Sequence, residues 1–104
     1  MIHLTKDTIG DYISGDTPVL IDFYADWCAP CVNLLKIIHR LEDPLKDRVI
    51  FTKVDIVAEP ELKEEYGVTT VPAFFLIQKN TILKQWVGVR SISEMRGMIE
   101  NHLE

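Results

Sequence analysis

Short runs of apolar residues, separated by polar turns, divide the chain into candidate strands. Val19–Tyr24 and Ala73–Gln78 are apolar at nearly every position, which is typical of central strands that are buried on both faces. Residues 49–54 and 82–87 form two further strand-like runs, and residues 2–4 predict a short edge strand. The sequence therefore predicts a sheet of about five strands.

Helical signals mark four other segments. Residues 5–13 place polar residues before apolar ones, and residues 61–66 follow a proline and end at a glycine, so both predict short helices. Ser91 and Glu94 have the spacing of a capping box at the start of the last helix. A long amphipathic helix is predicted from an apolar stripe formed by Cys31, Leu34, Leu35, Ile38, Leu41 and Leu45. Pro44 is expected to weaken its last turn.

The order of these elements, β-α-β-α-β-α-β-β-α, restricts the fold. Strand–helix–strand units require parallel neighbours with right-handed crossovers, whereas a three-residue turn at residues 79–81 predicts an antiparallel hairpin. We therefore expect an α/β fold in which about four helices flank a central mixed sheet, as a single domain over residues 1–104.

Composition and charge narrow the class of protein. The chain has 104 residues, 47% of them apolar, and a net charge of −5, which disfavours non-specific binding of nucleic acid. No apolar run approaches the ~20 residues needed to cross a membrane, and the first residues lack the basic and apolar regions of a signal peptide. We expect a cytoplasmic monomer that binds neither nucleic acid nor membrane, although a mature secreted domain given an added Met would look the same.

The two cysteines, Cys28 and Cys31, are separated by two residues. A disulfide across so small a ring stabilises a fold by only about 2 kcal/mol, against ~4.7 for a 100-residue loop, so a catalytic or metal-binding role is favoured. Zinc takes about four ligands, and the three histidines show no ligand spacing, so we expect no metal. Free N–H groups at a helix N-terminus stabilise the thiolate that attacks disulfides. We expect Cys28 to be exposed there and Cys31 to be more buried.

One carboxylate lies inside a predicted buried strand. Asp22 interrupts the apolar run Val19–Tyr24, so desolvation is expected to raise its pKa towards the range of a useful acid or base. The alternative is a structural carboxylate that is hydrogen-bonded or lies at a strand edge.

Residues 19–31, with the sequence VLIDFYADWCAPC, resemble the active-site segment of the thioredoxin family. The resemblance continues at residues 3–5, 53–55, 66–68, 71–72 and 87–88, and so covers nearly the whole chain. A lone CxxC would be weak support, but WCxPC after a strand that contains Asp, with Val-Pro about 40 residues later, is highly specific. The chain is thereby identified as a WCAPC variant of this family.

The resemblance implies a protein disulfide reductase that works by dithiol–disulfide exchange. Cys28 would attack the target disulfide and Cys31 would resolve the mixed disulfide. Asp22 would be the buried acid/base for Cys31, Lys53 would tune it, and Pro72 would be a cis-proline packed against the disulfide. Without the resemblance, Lys53 could equally be a solvated strand lysine, and Pro72 has only a ~5–6% chance of being cis.

The resemblance also implies partners. Disulfide-containing substrate proteins would dock on an apolar patch where Val71 offers its backbone, and a separate thioredoxin-reductase-like enzyme would restore the dithiol. The patch would comprise Trp27, Ala29, Pro30, Ile56, Val71, Pro72, Gly88 and Val89. The sequence has no Gly-rich nucleotide-binding motif, so no cofactor is expected beyond the redox-active disulfide itself. For Trp27 the alternative is core packing.

Four departures from the family pattern bear on these expectations. Ala29 stands where Gly is usual between the cysteines, and Val32 replaces a Lys, so the redox potential and the choice of partner are left open. Lys36 stands where many members have a helix-kinking Pro, which predicts a straighter long helix. Thr81 stands where Gly is common, in a hairpin that is shorter by about one residue.

Two other functions remain open. An oxidant or isomerase of the same fold would differ in its redox potential relative to its compartment, and the missing signal peptide argues against it. A non-catalytic binding subunit would use the apolar patch while the cysteines stay idle. The intact set of Asp22, Cys28, Pro30, Cys31 and Pro72 argues against that function.

Overall fold

A five-stranded mixed sheet forms the centre of the computed structural model, which describes residues 1–103. The strands are β1 (Ile2–His3), β2 (Val19–Tyr24), β3 (Ile50–Asp55), β4 (Ala73–Gln78) and β5 (Thr81–Val87), and they lie in the order β1-β3-β2-β4-β5. β1, β3 and β2 are parallel, while β4 runs antiparallel to both β2 and β5. The predicted α/β class and mixed sheet are confirmed. The predicted domain ends at Glu104, which lies outside the described residues.

Helices cover both faces of this sheet. Within residues 1–103 there are five, namely α1 (Ile9–Ile13), α2 (Ala29–Leu35), α3 (His39–Glu42), α4 (Pro60–Glu65) and α5 (Ile92–Glu100). One apolar cluster joins the sheet to α2, α3 and α5 and includes Leu20, Leu34, Leu41, Phe74 and Met95. The other joins it to α1 and α4 and includes Ile9, Ile21, Phe23, Leu62 and Phe75. Every residue of β2 is buried, as its apolar run predicted. None of these helices is both long and apolar enough to cross a membrane.

The prediction of one continuous helix over residues 31–45 is wrong, because the structure has two helices there. The straighter helix expected from Lys36 in place of a kinking proline is therefore not found. Three residues separate α2 from α3. There the N–H of Ile37 donates to the carbonyl of Leu34 at 2.9 Å, a spacing of three residues in place of four. Ile37 and Ile38 favour such a break because β-branched side chains lose rotamer freedom against the preceding helical turn. The predicted four helices therefore become five.

The hairpin between β4 and β5 is tighter than predicted. β5 begins at Thr81, so Lys79 and Asn80 alone connect the two strands. Both have positive φ, 51° and 61°, which is the backbone of a type I′ turn, whose twist matches that of the strands it joins. The predicted three-residue turn is wrong by one residue, because Thr81 already pairs with Gln78 in the ladder.

The ends of α1, α3 and α5 are set by local hydrogen bonds and by proline. The hydroxyl of Ser91 accepts the N–H of Glu94 at 3.1 Å, which confirms the serine half of the predicted capping box of α5. The other half is wrong, because the Glu94 carboxylate lies 3.5 Å from Nε of Arg90 and has no bond to the N–H of Ser91 among the described residues. α1 begins at Ile9 and not at residue 5, because Thr5 starts a separate turn whose carbonyl accepts the N–H of Ile9. α3 ends two residues before Pro44, as expected for a residue that cannot continue a helix.

Candidate active site

The cysteine pair lies where β2 passes into α2. A turn follows the strand, in which the N–H of Cys28 donates to the carbonyl of Ala25 at 3.1 Å. Cys28 then forms the N-cap of α2, and its sulfur accepts the N–H of Cys31 at 3.3 Å. Pro30 occupies the first turn of the helix, where its missing N–H leaves no bond unmade. The Cys28 sulfur therefore lies at the N-terminal end of a helix, an arrangement that stabilises negative charge on it.

The two cysteines form a disulfide, with their Cα atoms 5.3 Å apart. Cys31 is fully buried, as predicted. Cys28 is the more accessible of the two, but it is only 6% exposed, so the prediction of an exposed sulfur is wrong in degree. The neighbouring Trp27 is 71% exposed, which rules out the core-packing alternative for its ring. A reacting group therefore reaches the pair from the side of Cys28 and Trp27.

A second segment packs against the disulfide. The peptide bond between Val71 and Pro72 is cis, as the resemblance implied, and the Val71 carbonyl oxygen lies 3.7 Å from the Cys28 sulfur. The carbonyl of Pro72 accepts the N–H of Gly88 at 2.8 Å. Gly88 has a φ of +89°, a conformation that glycine adopts without steric cost. The loop before β4 and the end of β5 therefore meet beside the cysteines.

Asp22 projects from the middle of β2 and is completely buried. It lies on the face of the sheet that α2 covers, because Leu20, two residues earlier on the same face, packs with Leu34. Neither carboxylate oxygen has a hydrogen-bond partner among residues 1–103. Burial raises the pKa of Asp22 to about 7, and the positive charge of Lys53 offsets part of this effect. The expected burial is confirmed, and no residue among 1–103 supplies the hydrogen bond that the structural alternative invokes.

A row of side chains crosses the sheet at the level of Asp22. The strand register places His3 beside Lys53, Lys53 beside Asp22, Asp22 beside Phe74, and Phe74 beside Trp86. The rings of Phe74 and Trp86 stack with their centroids 4.9 Å apart. Asp22 therefore has a cation on one side and an aromatic pair on the other, and neither neighbour is hydrogen-bonded to it.

Tyr24 extends this cluster towards the cysteines. It follows Asp22 by two residues on β2, and the ammonium of Lys53 lies over its ring, 5.5 Å from the centroid. Its hydroxyl lies 3.3 Å from Nε2 of His3. Sequence reasoning assigned no role to Tyr24 or His3, because their contact depends on the alignment of β1 with β3 and β2. No local pattern in the sequence reveals that register.

The predicted docking patch surrounds the pair but is unevenly exposed. Trp27, Ala29, Pro30 and Val89 are exposed, Val71 and Gly88 are partly exposed, and Pro72 is buried. Ile56 contributes little surface to the patch, because its side chain is 6% exposed and belongs to a core cluster. Sequence reasoning also missed two exposed apolar side chains just beyond β3 and at the end of β5, those of Val57 and Val87, which are 64% and 52% exposed. The alternation of β5 was the available signal for Val87, since a buried Trp86 turns its neighbour outwards.

These features together define a class of protein. A cysteine pair that caps a helix, a cis-proline loop against it and a buried carboxylate under the same helix form the site of a thiol–disulfide oxidoreductase of thioredoxin fold. In the part of the chain that the structure describes, no three His, Cys, Asp or Glu side chains are grouped to hold a metal ion. The chain belongs to the thioredoxin family, whose sequence model, described as Thioredoxin, matches residues 1–101.

Similarity to individual proteins points the same way. The chain is 32% identical over 91 residues to thioredoxin Y2, chloroplastic, of Arabidopsis thaliana; the match covers 88% of this chain and 54% of that protein, so the chain spans about half of that relative. It is 28% identical over 93 residues to the thioredoxin of Chlorobaculum thiosulfatiphilum, covering 89% of this chain and 86% of that protein. The crystal structure of the Malassezia sympodialis thioredoxin Mala s 13 matches with a TM-score of 0.87 at 28% identity, over 98% of this chain and 90% of that one.

Proposed function

We propose that this chain is a protein disulfide reductase, in which the reduced Cys28–Cys31 pair donates two electrons to a disulfide of a substrate protein. The observation that carries the proposal is the capping of α2 by the Cys28 sulfur, which accepts the N–H of Cys31 at 3.3 Å. A thiolate in this position retains that hydrogen bond in a stronger, charge-assisted form. Because the charged form is stabilised in this position, Cys28 is the attacking sulfur in the proposed reaction.

The proposed reaction has two steps. The Cys28 thiolate attacks one sulfur of the substrate disulfide, and the other substrate sulfur leaves as a thiolate that takes a proton from solvent. Cys31 then gives its proton to Asp22 and attacks the Cys28 sulfur, which closes the intramolecular disulfide and releases the second substrate thiolate. Asp22 passes that proton to the second substrate thiolate, so the substrate receives two electrons in all and two protons, one from solvent and one from Cys31. A pKa of about 7 supports this role, because the carboxyl group is partly ionised near neutral pH.

The neighbouring residues have positioning and docking roles in this proposal. The charge of Lys53 tunes Asp22, and Pro72 packs against the disulfide. The backbone of Val71, whose carbonyl lies 3.7 Å from the Cys28 sulfur, runs alongside an extended substrate segment. Substrate proteins dock on the apolar surface formed by Trp27, Ala29, Pro30, Val71, Gly88 and Val89.

Recycling and location complete the proposal. A separate thioredoxin-reductase-like enzyme restores the dithiol, so the chain needs no added cofactor. The chain works in the cytoplasm as a monomer, with a single domain over residues 1–104. Thioredoxin Y2 is chloroplastic by name, so the compartment needs its own test by localisation of the tagged full-length protein.

The direction of electron transfer is tested by equilibrating the pair with graded glutathione buffers. Trp27 fluorescence reports the redox state, and a Trp86→Phe background makes the exposed Trp27 the sole tryptophan reporter. A potential below the roughly −220 to −260 mV of cytosolic glutathione supports a reductase. A pair that is reduced more readily indicates an oxidant or isomerase, and the absence of a reversible transition leaves a non-catalytic binding subunit.

Two sets of variants test the assigned roles. Cys31→Ser should trap a mixed disulfide between Cys28 and a substrate, whereas Cys28→Ser should trap none; the reverse result would exchange the two roles. Ala29→Gly, measured in the same glutathione buffers, tests whether the WCAPC sequence shifts the potential. We expect a shift because glycine widens the conformations that the loop between the cysteines can adopt.

A further inference from the structure

Lys53 has two possible partners on the face of the sheet that α2 covers. The register places it directly beside Asp22, whose buried carboxylate would gain from a closed ion pair. Its ammonium instead lies over the ring of Tyr24, 5.5 Å from the centroid, within cation–π range. Within residues 1–103 the carboxylate of Asp22 has no hydrogen-bond partner, and none of the ion pairs found there joins it to Lys53. The ammonium is thus near Asp22 without being bonded to it.

Tyr24 is held in place by contacts that do not involve Lys53. Its side chain is only 6% exposed, and its hydroxyl lies 3.3 Å from Nε2 of His3. Its backbone carbonyl accepts the N–H of Ile56 at 3.0 Å, which fixes the end of β2 against the end of β3. Burial and nearby carboxylates raise the pKa of Tyr24, so the ring remains a neutral phenol. The ring is therefore a fixed apolar platform for a cation.

We propose that Tyr24 is a positioning residue, whose ring holds the ammonium of Lys53 away from Asp22 so that the buried carboxylate stays free to exchange a proton with the cysteine pair. This rests on the acid/base role of Asp22 proposed above and extends it. If the ring were absent, the ammonium would swing to the carboxylate and form a charge-assisted hydrogen bond. Such a bond favours the ionised carboxylate, so Asp22 would become a weaker base towards Cys31.

The other charged groups around the cluster do not substitute for Lys53. The groups that surround Asp22 and Tyr24 are Lys53, His3, Asp26 and Asp55. Asp55 accepts the N–H groups of Val57 and Ala58 through one oxygen and so orders its own turn. On the remaining sides β4 contributes Phe74 and α2 contributes apolar side chains such as Leu34. Burial is the larger influence on Asp22, and Lys53 is the cation that opposes it, so the position of its ammonium shifts the titration of Asp22.

The test is the titration of Asp22 in the oxidised protein, followed by carbon NMR of its side-chain carboxyl group. The disulfide has no thiol to titrate, so the signal reports the carboxyl group without any turnover. Tyr24→Leu, or Tyr24→Met if the leucine variant does not fold, should increase the acid dissociation constant of Asp22 about two- to fivefold, the usual worth of a partly exposed cation–π contact. Tyr24→Phe keeps the ring and should leave the titration unchanged. A shift with Tyr24→Phe as large as with Tyr24→Leu overturns the proposal.

Lys53→Met decides whether Tyr24 acts through the ammonium. This variant should raise the pKa of Asp22, and adding Tyr24→Leu to it should change nothing further. An equal effect of Tyr24→Leu in both backgrounds would mean that the ring merely excludes water, and it would overturn the proposal. Tyr66→Leu is the matched control, because Tyr66 packs against Phe23 and Phe75 on the other face of the sheet. It should leave the titration of Asp22 unchanged.

The pH profile of disulfide reduction connects this titration to activity. With a model peptide disulfide as substrate, the limb assigned to Asp22 should move to lower pH in Tyr24→Leu by the same factor as the NMR titration. An unmoved limb, with the titration shifted, would overturn the link between Tyr24 and proton exchange. If the protein reduced no disulfide at all, the proposed function would fail while the NMR titration still measured the effect of Tyr24.

Discussion

The buried charge of Asp22 should make the protein less stable as the pH rises, and Asp22→Asn should remove that effect. The carboxyl group has a pKa of 3.8 when unfolded and about 7 when folded, because burial disfavours the charged form. A folded-state pKa above the unfolded value means that the native state holds the proton more tightly. Its contribution to stability is therefore complete below the unfolded pKa and is lost as the pH rises through about 7. A shift of about three pKa units corresponds to about 4 kcal/mol, a large share of the roughly 5–15 kcal/mol of a typical domain.

The assay is urea denaturation of the oxidised protein from about pH 4 to about pH 9, comparing wild type with Asp22→Asn. The two proteins should be equally stable to within about 1 kcal/mol at the acid end, and the variant should be more stable by about 4 kcal/mol above pH 8. Asp47→Asn is the matched control, because that carboxyl group is exposed, and it should show no such divergence. A difference that does not depend on pH, or one that favours wild type at high pH, would refute the reasoning. It would mean that the charge of Asp22 is compensated inside the fold.

Two further changes test the packing and the hairpin. In urea denaturation, Trp86→Phe should have a free energy of unfolding within about 1 kcal/mol of wild type. The smaller ring still stacks on Phe74, and the substitution removes an N–H that has no partner in the described chain. Trp86→Ala should lower the free energy of unfolding by about 3–5 kcal/mol. Equal losses in the two variants would contradict this account. The double change Lys79→Asn and Asn80→Gly should stabilise the protein by about 1 kcal/mol in the same assay. Both positions have positive φ, and the introduced Asn-Gly pair adopts the type I′ turn at a lower steric cost than the present Lys-Asn pair. A loss of stability would show that the turn is not type I′ in solution.

The architecture could be predicted because most strands lie in the core. β2 and β4 are buried on nearly every side, so their apolar runs stood out from the polar turns around them. The break between α2 and α3 could not be predicted from the apolar stripe, since the stripe continues across it and the break depends on the local backbone at Ile37 and Ile38. The hairpin was misjudged for a similar reason, because Thr81 has no feature that assigns it to the turn or to the strand.

In the site, too, features set by adjacent residues could be predicted, and features set by distant segments could not. Cys28, Cys31 and Asp22 could be identified from adjacent residues, because their chemistry depends on a strand, a turn and a helix that follow each other in the chain. The burial of Cys28 and Ile56 could not be predicted from adjacent residues, because the segments that cover them are distant in sequence, such as the cis-proline loop. The position of the Lys53 ammonium over Tyr24 belongs to this second group, since neither residue type nor spacing shows where a long side chain will rest.

The row that crosses the sheet contains two buried polar groups that have no hydrogen-bond partner among residues 1–103, and one is neutral while the other carries charge. Trp86 leaves a neutral N–H unpaired beside Phe74, which costs about 1–3 kcal/mol at every pH. Asp22 leaves a carboxylate unpaired, and its cost increases over the pH range in which thiols exchange with disulfides. An apolar residue at position 22 would avoid that cost, and a closed pair with Lys53 would reduce it. The fold has neither an apolar residue at position 22 nor a closed ion pair there. Unsatisfied buried charges tend to persist where chemistry needs them. The loss of stability caused by Asp22 therefore supports a role for this residue in proton transfer.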